Sequence, residues 1–256
     1  MLNYSIEKFK SLHKSKNNVI LFYSISSDGK NEIPNLIDNF LIEKNSFIFE
    51  SVEKGTIKGR YTIFGKNPDK IWEFNNSNCF QIKKNKKFKI NGHPKKIIEE
   101  IIENFNFKIP KSLPPLSSIL AGYFSYDIIR YIENIPNKCK DDLKIPDVRI
   151  LRPKSLIIYD NLKKKVFYIE NIFSDAKIEN YFEKYQSIKR NFKMFQHYEK
   201  LVLPEKFTFK SNKNKIKSNI SKKRFKSIVL KAKKHITAGD IFQVVLSQRF
   251  ERKFEK

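Results

Sequence analysis

Between Asp147 and Glu170 the chain reads DVRILRPKSLIIYDNLKKKVFYIE, two runs rich in isoleucine, leucine, valine and tyrosine with a polar turn near Asp160 and Asn161. β-Branched and aromatic runs bounded by turn residues read as strands. The pattern recurs along the chain. NVILFYSI (18–25) is a strand candidate closed by Ser27, Asp28 and Gly29. SFIFES (46–51) and RYTIFG (60–65) are β-rich runs on either side of VEKGTIKG, whose Gly55 and Gly59 permit a loop. KIWEFN (70–75), CFQIKK (79–84) and KFKI (87–90) form a meander of short strands. Helices fall between these runs without alternating with them strictly, which favours an α+β fold over a doubly wound parallel sheet.

The helical signals are fewer. IPNLIDNFL (33–41) is a short helix that tolerates Pro34 in its first turn. HPKKIIEEIIENFNF (93–107) carries Ile97, Ile98, Ile101, Ile102 and Phe105 on one stripe. LPPL (113–116) is a rigid connector into SSILAGYFSYDIIRYIENIP, where a strand reaches Gly122 and a helix follows from Ser125 as N-cap towards Pro136. A long polar helix spans Asp175 to about Tyr198, and residues 203–219 have the composition of a linker. Ser221 then caps a helix with Phe225, Ile228, Val229, Ala232 and Ile236 on one face, and Gly239 ends it in a left-handed conformation. IFQVVLSQRF (241–250) has the apolar character of a buried strand. The expected organisation is a domain over 1–205, a linker over 206–220 and the start of a second domain over 221–256.

Several function classes lack their signatures. The chain has seven glycines and no GxGxxG or GxxxxGK[ST], so nucleotide-loop readings fail. No GxSxG, HExxH or paired-carboxylate motif stands out, and His13, His93, His197 and His235 are scattered without metal-ligand spacing. Cys79 and Cys139 are isolated, which suits a reducing cytosol and hence a cytoplasmic protein. The first sixteen residues have no apolar core of a secretory leader, and no apolar run is long enough to span a membrane. The net charge of +25 invites a nucleic-acid reading, but only 8 of the 52 basic residues are arginine and the lysines are spread along the whole chain. Bidentate phosphate and base-edge recognition favours arginine, so the expectation is a solvated lysine surface with neither a nucleic-acid nor a membrane partner.

Three stretches together resemble a known family. HITAGDIFQVVLSQRF (235–250) resembles the opening of the chorismate-binding domain of anthranilate synthase component I. SFIFESVEKGTIKGRYTIFGKNPDKIW (46–72) resembles that family's N-terminal segment, with Ile48-Phe49-Glu50-Ser51 in place of its Leu-Leu-Glu-Ser signature, and LAGYFSYDIIRYIENIP (120–136) resembles a third landmark. Order and spacing agree over roughly residues 18 to 250. The sister family, aminodeoxychorismate synthase component I, has a more polar counterpart of Ile241-Phe242-Gln243-Val244-Val245-Leu246 and is the alternative; a basic nucleic-acid-binding protein is another.

The resemblance implies mostly antiparallel sheets with flanking helices, arranged as a two-sheet sandwich. It implies a magnesium-dependent lyase that converts chorismate and ammonia to anthranilate and pyruvate in tryptophan biosynthesis. A glutamine amidotransferase subunit would supply the ammonia, within a heterotetramer. The family's Gly-Thr-Arg-Pro loop, catalytic histidine, magnesium-binding glutamates and substrate-binding arginine have no match before Lys256. The expectation is therefore a truncated N-terminal part with no catalytic residue of its own, forming no anthranilate alone. Glu50 and Ser51 match positions that bind tryptophan as feedback inhibitor; on spacing alone they equally close a strand before the loop at Gly55. Arg60 or Lys58 would meet the tryptophan carboxylate or else be surface cations. Asp127 and Arg130 suit an intrahelical ion pair.

Overall fold

The computed structural model describes residues 2–26, 43–50, 59–76, 78–138, 141–196 (backbone alone at 194–196) and 216–252. The helix expected over 33–41 lies outside them. The chain divides into two units, Met1–Pro204 and Glu205–Lys256.

The first unit is built on two long strands, β3 (Tyr61–Asn75) and β7 (Val148–Asp160), paired antiparallel from Tyr61 opposite Asp160 to Phe74 opposite Val148. The sequence reading treated 60–65 and 70–75 as separate strands. They are one, because the ladder shifts register between Pro68 and Lys70 and then resumes. Pro68 lies opposite Pro153, so the two residues that cannot donate to a ladder share one irregular point.

Each long strand carries two shorter partners. Beside β3 run β2 (Phe47–Phe49) and β4 (Asn78–Lys83), with β5 (Lys86–Ile90) beyond β4. Beside β7 run β6 (Ala121–Phe124) and β8 (Lys165–Ile172), with β1 (Val19–Ser26) beyond β8. Every pairing is antiparallel, as the α+β reading expects, and β3 and β7 join the strands of the expected sandwich into one eight-stranded sheet. β6 can lie against β7 only because of Gly122. A Cβ there would stand 1.9 Å from the backbone oxygen of Arg149.

Three apolar clusters fill the unit. Alternation along β3 and β7 sends Phe64, Ile157 and Tyr159 to one face, where α1 (Ile6–Lys14) and α3 (Tyr181–Gln196) cover them with Phe9, Ile188 and Phe192. Ile63, Leu156 and Ile158 face the other way and meet Leu113 in the connector. Beyond the bulge, Trp72, Phe74 and Val148 pack on Ile97 and Ile101 of α2 (Pro94–Glu103). The expected stripe of α2 is narrower than read, since Ile102 is exposed.

Three helix boundaries differ. The helix α1 went unread, although Ser5 caps it by accepting from the Lys8 amide. The segment after Ser125 is a six-residue 3-10 helix, Tyr126–Tyr131, and the Ser125 side chain makes no cap bond. α3 begins after Asp175, which is held by Lys70 and Arg152, and Asn180 accepts from the Glu183 amide instead.

In the second unit, α4 (Lys222–Thr237) follows Ser221, whose hydroxyl accepts from the Arg224 amide, and Gly239 adopts φ +81° as expected. The strand expected over 241–250 is not formed along its length. Only β10 (Phe250–Glu251) is paired, with β9 (Lys217–Ser218), and Phe242 and Val245 are 94% and 81% exposed. A strand needs a neighbour for its amides and carbonyls; among the described residues Arg249 exchanges bonds with Asn219, while 241–248 pair with no strand.

Two outcomes follow. Gly122→Ala should destabilise the first unit by about 1–3 kcal/mol, because the obstacle is backbone and cannot rotate away; a urea midpoint equal to wild type would contradict this. Amides of 241–249 should exchange much faster than those of Phe64 or Ile157 in hydrogen exchange, and equal protection would mean that this segment is covered in solution.

Candidate functional site

Of the sequence candidates, Glu50 stands at the end of strand β2, which pairs Phe47 with Gly65, Ile48 with Phe64 and Phe49 with Ile63. Gly65 is the reason β2 lies so close to β3: the Phe47 ring crosses it, and a Cβ at 65 would meet the ring tip at 2.2 Å. The side chains split, Ile48 packing on the helix-covered cluster and Phe47 on the opposite one. Glu50 follows directly and is exposed. Ser51 and Lys58 lie outside the described residues.

The turn that leads into β2 is fastened on both sides. Lys66 Nζ donates to Glu43 Oε1 at 2.9 Å, and the Ser46 hydroxyl donates to the Glu43 carbonyl at 2.7 Å. Asn45 takes a left-handed φ of 63°, and its Oδ1 accepts from Arg149 Nη2 at 2.8 Å. Arg149 also places Nε 3.2 Å from Glu73 Oε1. Sequence reasoning missed Glu43, Asn45, Lys66 and Arg149. The one local signal is Asn45 itself, a residue type that tolerates left-handed backbone; its arginine partner lies too far along the chain to be read.

Arg60 is not a loose surface charge. Its Nε donates to Asp160 Oδ1 at 3.0 Å and its Nη2 to Oδ2 at 2.7 Å, and its guanidinium lies 4.8 Å from the Tyr61 ring centre. Asp160 also accepts from the Leu162 and Lys163 amides. Burial by itself pushes the Asp160 carboxyl up, but the Arg60 fork and these amides outweigh it and hold it below the usual carboxylate range. This fork closes the β7–β8 turn over the start of β3. Asp127 and Arg130 do pair with each other, as expected, on the 3-10 helix.

Two clefts open on the first unit. One, of about 380 Å³, lies over Trp72, Ile97 and Phe107, with Lys70, Arg152 and Asp175 at its rim. Its charges are mutually committed: Arg152 pairs with Asp69 and Asp175, lies 3.9 Å over the Phe173 ring, and Lys70 also pairs with Asp175. The other, of about 480 Å³, is lined by Asp127, Arg130, Tyr131 and Asp147. Among the described residues no group of three or more His, Cys, Asp or Glu side chains is placed to hold a metal. The magnesium implied by the resemblance therefore finds no fit in them. No described helix is long and apolar enough to cross a membrane.

The sequence profile described as "chorismate binding enzyme" matches residues 44–256, from the turn before β2 to the end of the chain. The chain belongs to the chorismate-binding enzyme family. Within that family it is similar to anthranilate synthase component 1 of Acetivibrio thermocellus, at 32% identity over 96% of this chain and 50% of the relative. The corresponding protein of Cereibacter sphaeroides is 28% identical over 98% of this chain and 51% of its own length. Anthranilate synthase alpha subunit 1 of Oryza sativa subsp. indica is 34% identical over 82% and 40%. The crystal structure of anthranilate synthase component I from Streptococcus pneumoniae shares the fold, with a TM-score of 0.60 at 24% identity over 90% of this chain and 49% of that one. The chain thus spans about half the length of the curated relatives it matches.

The Arg60–Asp160 fork has a pH signature. A carboxyl held below its unfolded value of about 3.9 contributes stability above that pH and loses it as the pH falls through the folded value. Asp160→Asn should therefore lower stability at neutral pH and flatten the loss below about pH 4. Urea unfolding of both proteins at several pH values checks this, and parallel acid limbs would assign the fork no such role.

Proposed function

We propose that this chain supplies the regulatory half of an anthranilate synthase component I. The reaction is conversion of chorismate and ammonia to anthranilate and pyruvate, with ammonia delivered from glutamine by an amidotransferase subunit and tryptophan acting as feedback inhibitor. The observation that carries the reading is the span of similarity: proteins named as this component in bacteria and plants align along 82–98% of the chain, β2 and its Glu50 included. The chemistry at β2 is compatible. An exposed carboxylate at a strand end accepts from the ammonium of an amino acid, and the adjacent Ser51 hydroxyl adds a further acceptor. The chain's own catalytic contribution is left empty, since none of its residues matches a catalytic position, and the proposal assigns magnesium to residues other than those described.

The test is anthranilate fluorescence from the full-length enzyme, this chain joined to the remaining half of a component I, given chorismate, magnesium and ammonia, with and without tryptophan. Tryptophan should inhibit, and Ser51→Phe should abolish the inhibition while turnover stays largely intact. The substitution excludes the ligand sterically and removes one charge-assisted hydrogen bond, itself about 1.5–3 kcal/mol. No anthranilate from chorismate would overturn the assignment; unchanged inhibition in the variant would return Ser51 to closing the strand.

A further inference from the structure

We infer that Gly65 is a positioning residue for the ligand site at the end of β2, acting through the Phe47 ring. The inference rests on the tryptophan reading of Glu50 and deepens it by naming what sets where that carboxylate stands.

The argument starts from how little holds β2. It is three residues long and, among the described residues, pairs with β3 alone. A strand that short draws little placement from its ladder, so its position is set by its side chains and by its lead-in turn. Phe47 is the side chain that matters most. It stands directly opposite Gly65, and its Cζ, Cε1 and Cε2 atoms lie 2.2, 2.4 and 3.0 Å from where a Cβ at 65 would be. The ring therefore occupies the very space that any other residue type at 65 would claim. Its contact with Phe49, at 4.9 Å between ring centres, ties the two ends of the strand to that one seat.

Nothing at Gly65 requires glycine for backbone reasons. Its φ is not in the left-handed region, unlike Gly59, Gly92 and Gly239. Space for the ring is what the glycine provides. Upstream, Lys66–Glu43 and Arg149–Asn45 fix the turn, so a displaced Phe47 cannot carry the whole segment with it. The displacement passes down the strand instead, to Phe49 and then Glu50. Glu50 itself has no described hydrogen bond or ion pair that would hold it against such a shift.

The experiment uses the native protein, with tryptophan binding by calorimetry and amide exchange of 47–49 as paired readouts, well below the unfolding temperature. Gly65→Ala should weaken tryptophan binding by about tenfold or more and speed exchange of 47–49. Gly65→Ala combined with Phe47→Leu, which deletes the colliding ring atoms and keeps an apolar body, should restore both. Phe47→Ala, which leaves β3 untouched and so serves even if Gly65→Ala fails to fold, should weaken binding as well. A merely structural glycine would lower the unfolding temperature of Gly65→Ala without changing affinity, and that result overturns the inference, as does wild-type affinity in Phe47→Ala or failure of the double variant to recover. Absence of tryptophan binding by the wild-type protein would sink the tryptophan reading and the inference together; binding that survives Gly65→Ala sinks the inference alone.

Discussion

The pairing of β3 with β7 is the constraint on which the first unit depends. Both strands extend past the point where Pro68 meets Pro153, and each therefore offers its outer edge to two different partners. On one side of the bulge that edge takes β2 and β8; on the other it takes β4 and β6. A one-residue register shift at Asp69, just past the paired prolines, keeps the alternation correct on both sides, so that Phe64 and Ile157 share one core while Trp72 and Ile150 share another. Without it, one half of the sheet would present its apolar residues to water.

Arg149 connects the consequences of that arrangement. Its carbonyl faces Gly122, where β6 comes closest to β7, and its guanidinium reaches Asn45 and Glu73. The stretches around 46–51 and 120–136, which looked like separate landmarks in the sequence, thus bear on a single residue of β7. Arg60 does comparable work at the other end, forking onto Asp160 beside the β7–β8 turn.

What could be read in advance was local. The apolar alternation in 61–65 and 148–160 gave the strands and their class, Ser221 and Gly239 gave both ends of α4, and the turn at Asp160 and Asn161 stands where it was read. The bulge was unreadable because a proline looks like a strand break until its opposite number, Pro153, is known. Gly65 read only as the last residue of the run 60–65 for the same reason: its meaning lies in Phe47, which belongs to another strand. For the candidate site, Glu50 was legible only through resemblance, since a carboxylate ending a strand carries no signal of its own. The reading of 241–250 as a strand used composition, and composition cannot say whether a pairing neighbour is present.

Arginine and lysine divide the electrostatics between them. Five of the eight arginines reach carboxylates among the described residues: Arg60, Arg130, Arg149, Arg152 and Arg249. The remaining surplus is overwhelmingly lysine, spread along the chain, and α4, which directly precedes the exposed Phe242 and Val245, carries Lys222, Lys223, Arg224, Lys226, Lys231, Lys233 and Lys234 with no acidic residue among them. Two copies approaching through Phe242 and Val245 must first bring those like charges together. The repulsion acts over roughly the Debye length, about 8–10 Å at ordinary ionic strength and about 3 Å in molar salt. Colloidal behaviour is therefore governed by ionic strength as much as by heat: dilute buffer keeps the molecules apart, and added salt removes the barrier while leaving every internal contact of the sheet as it was.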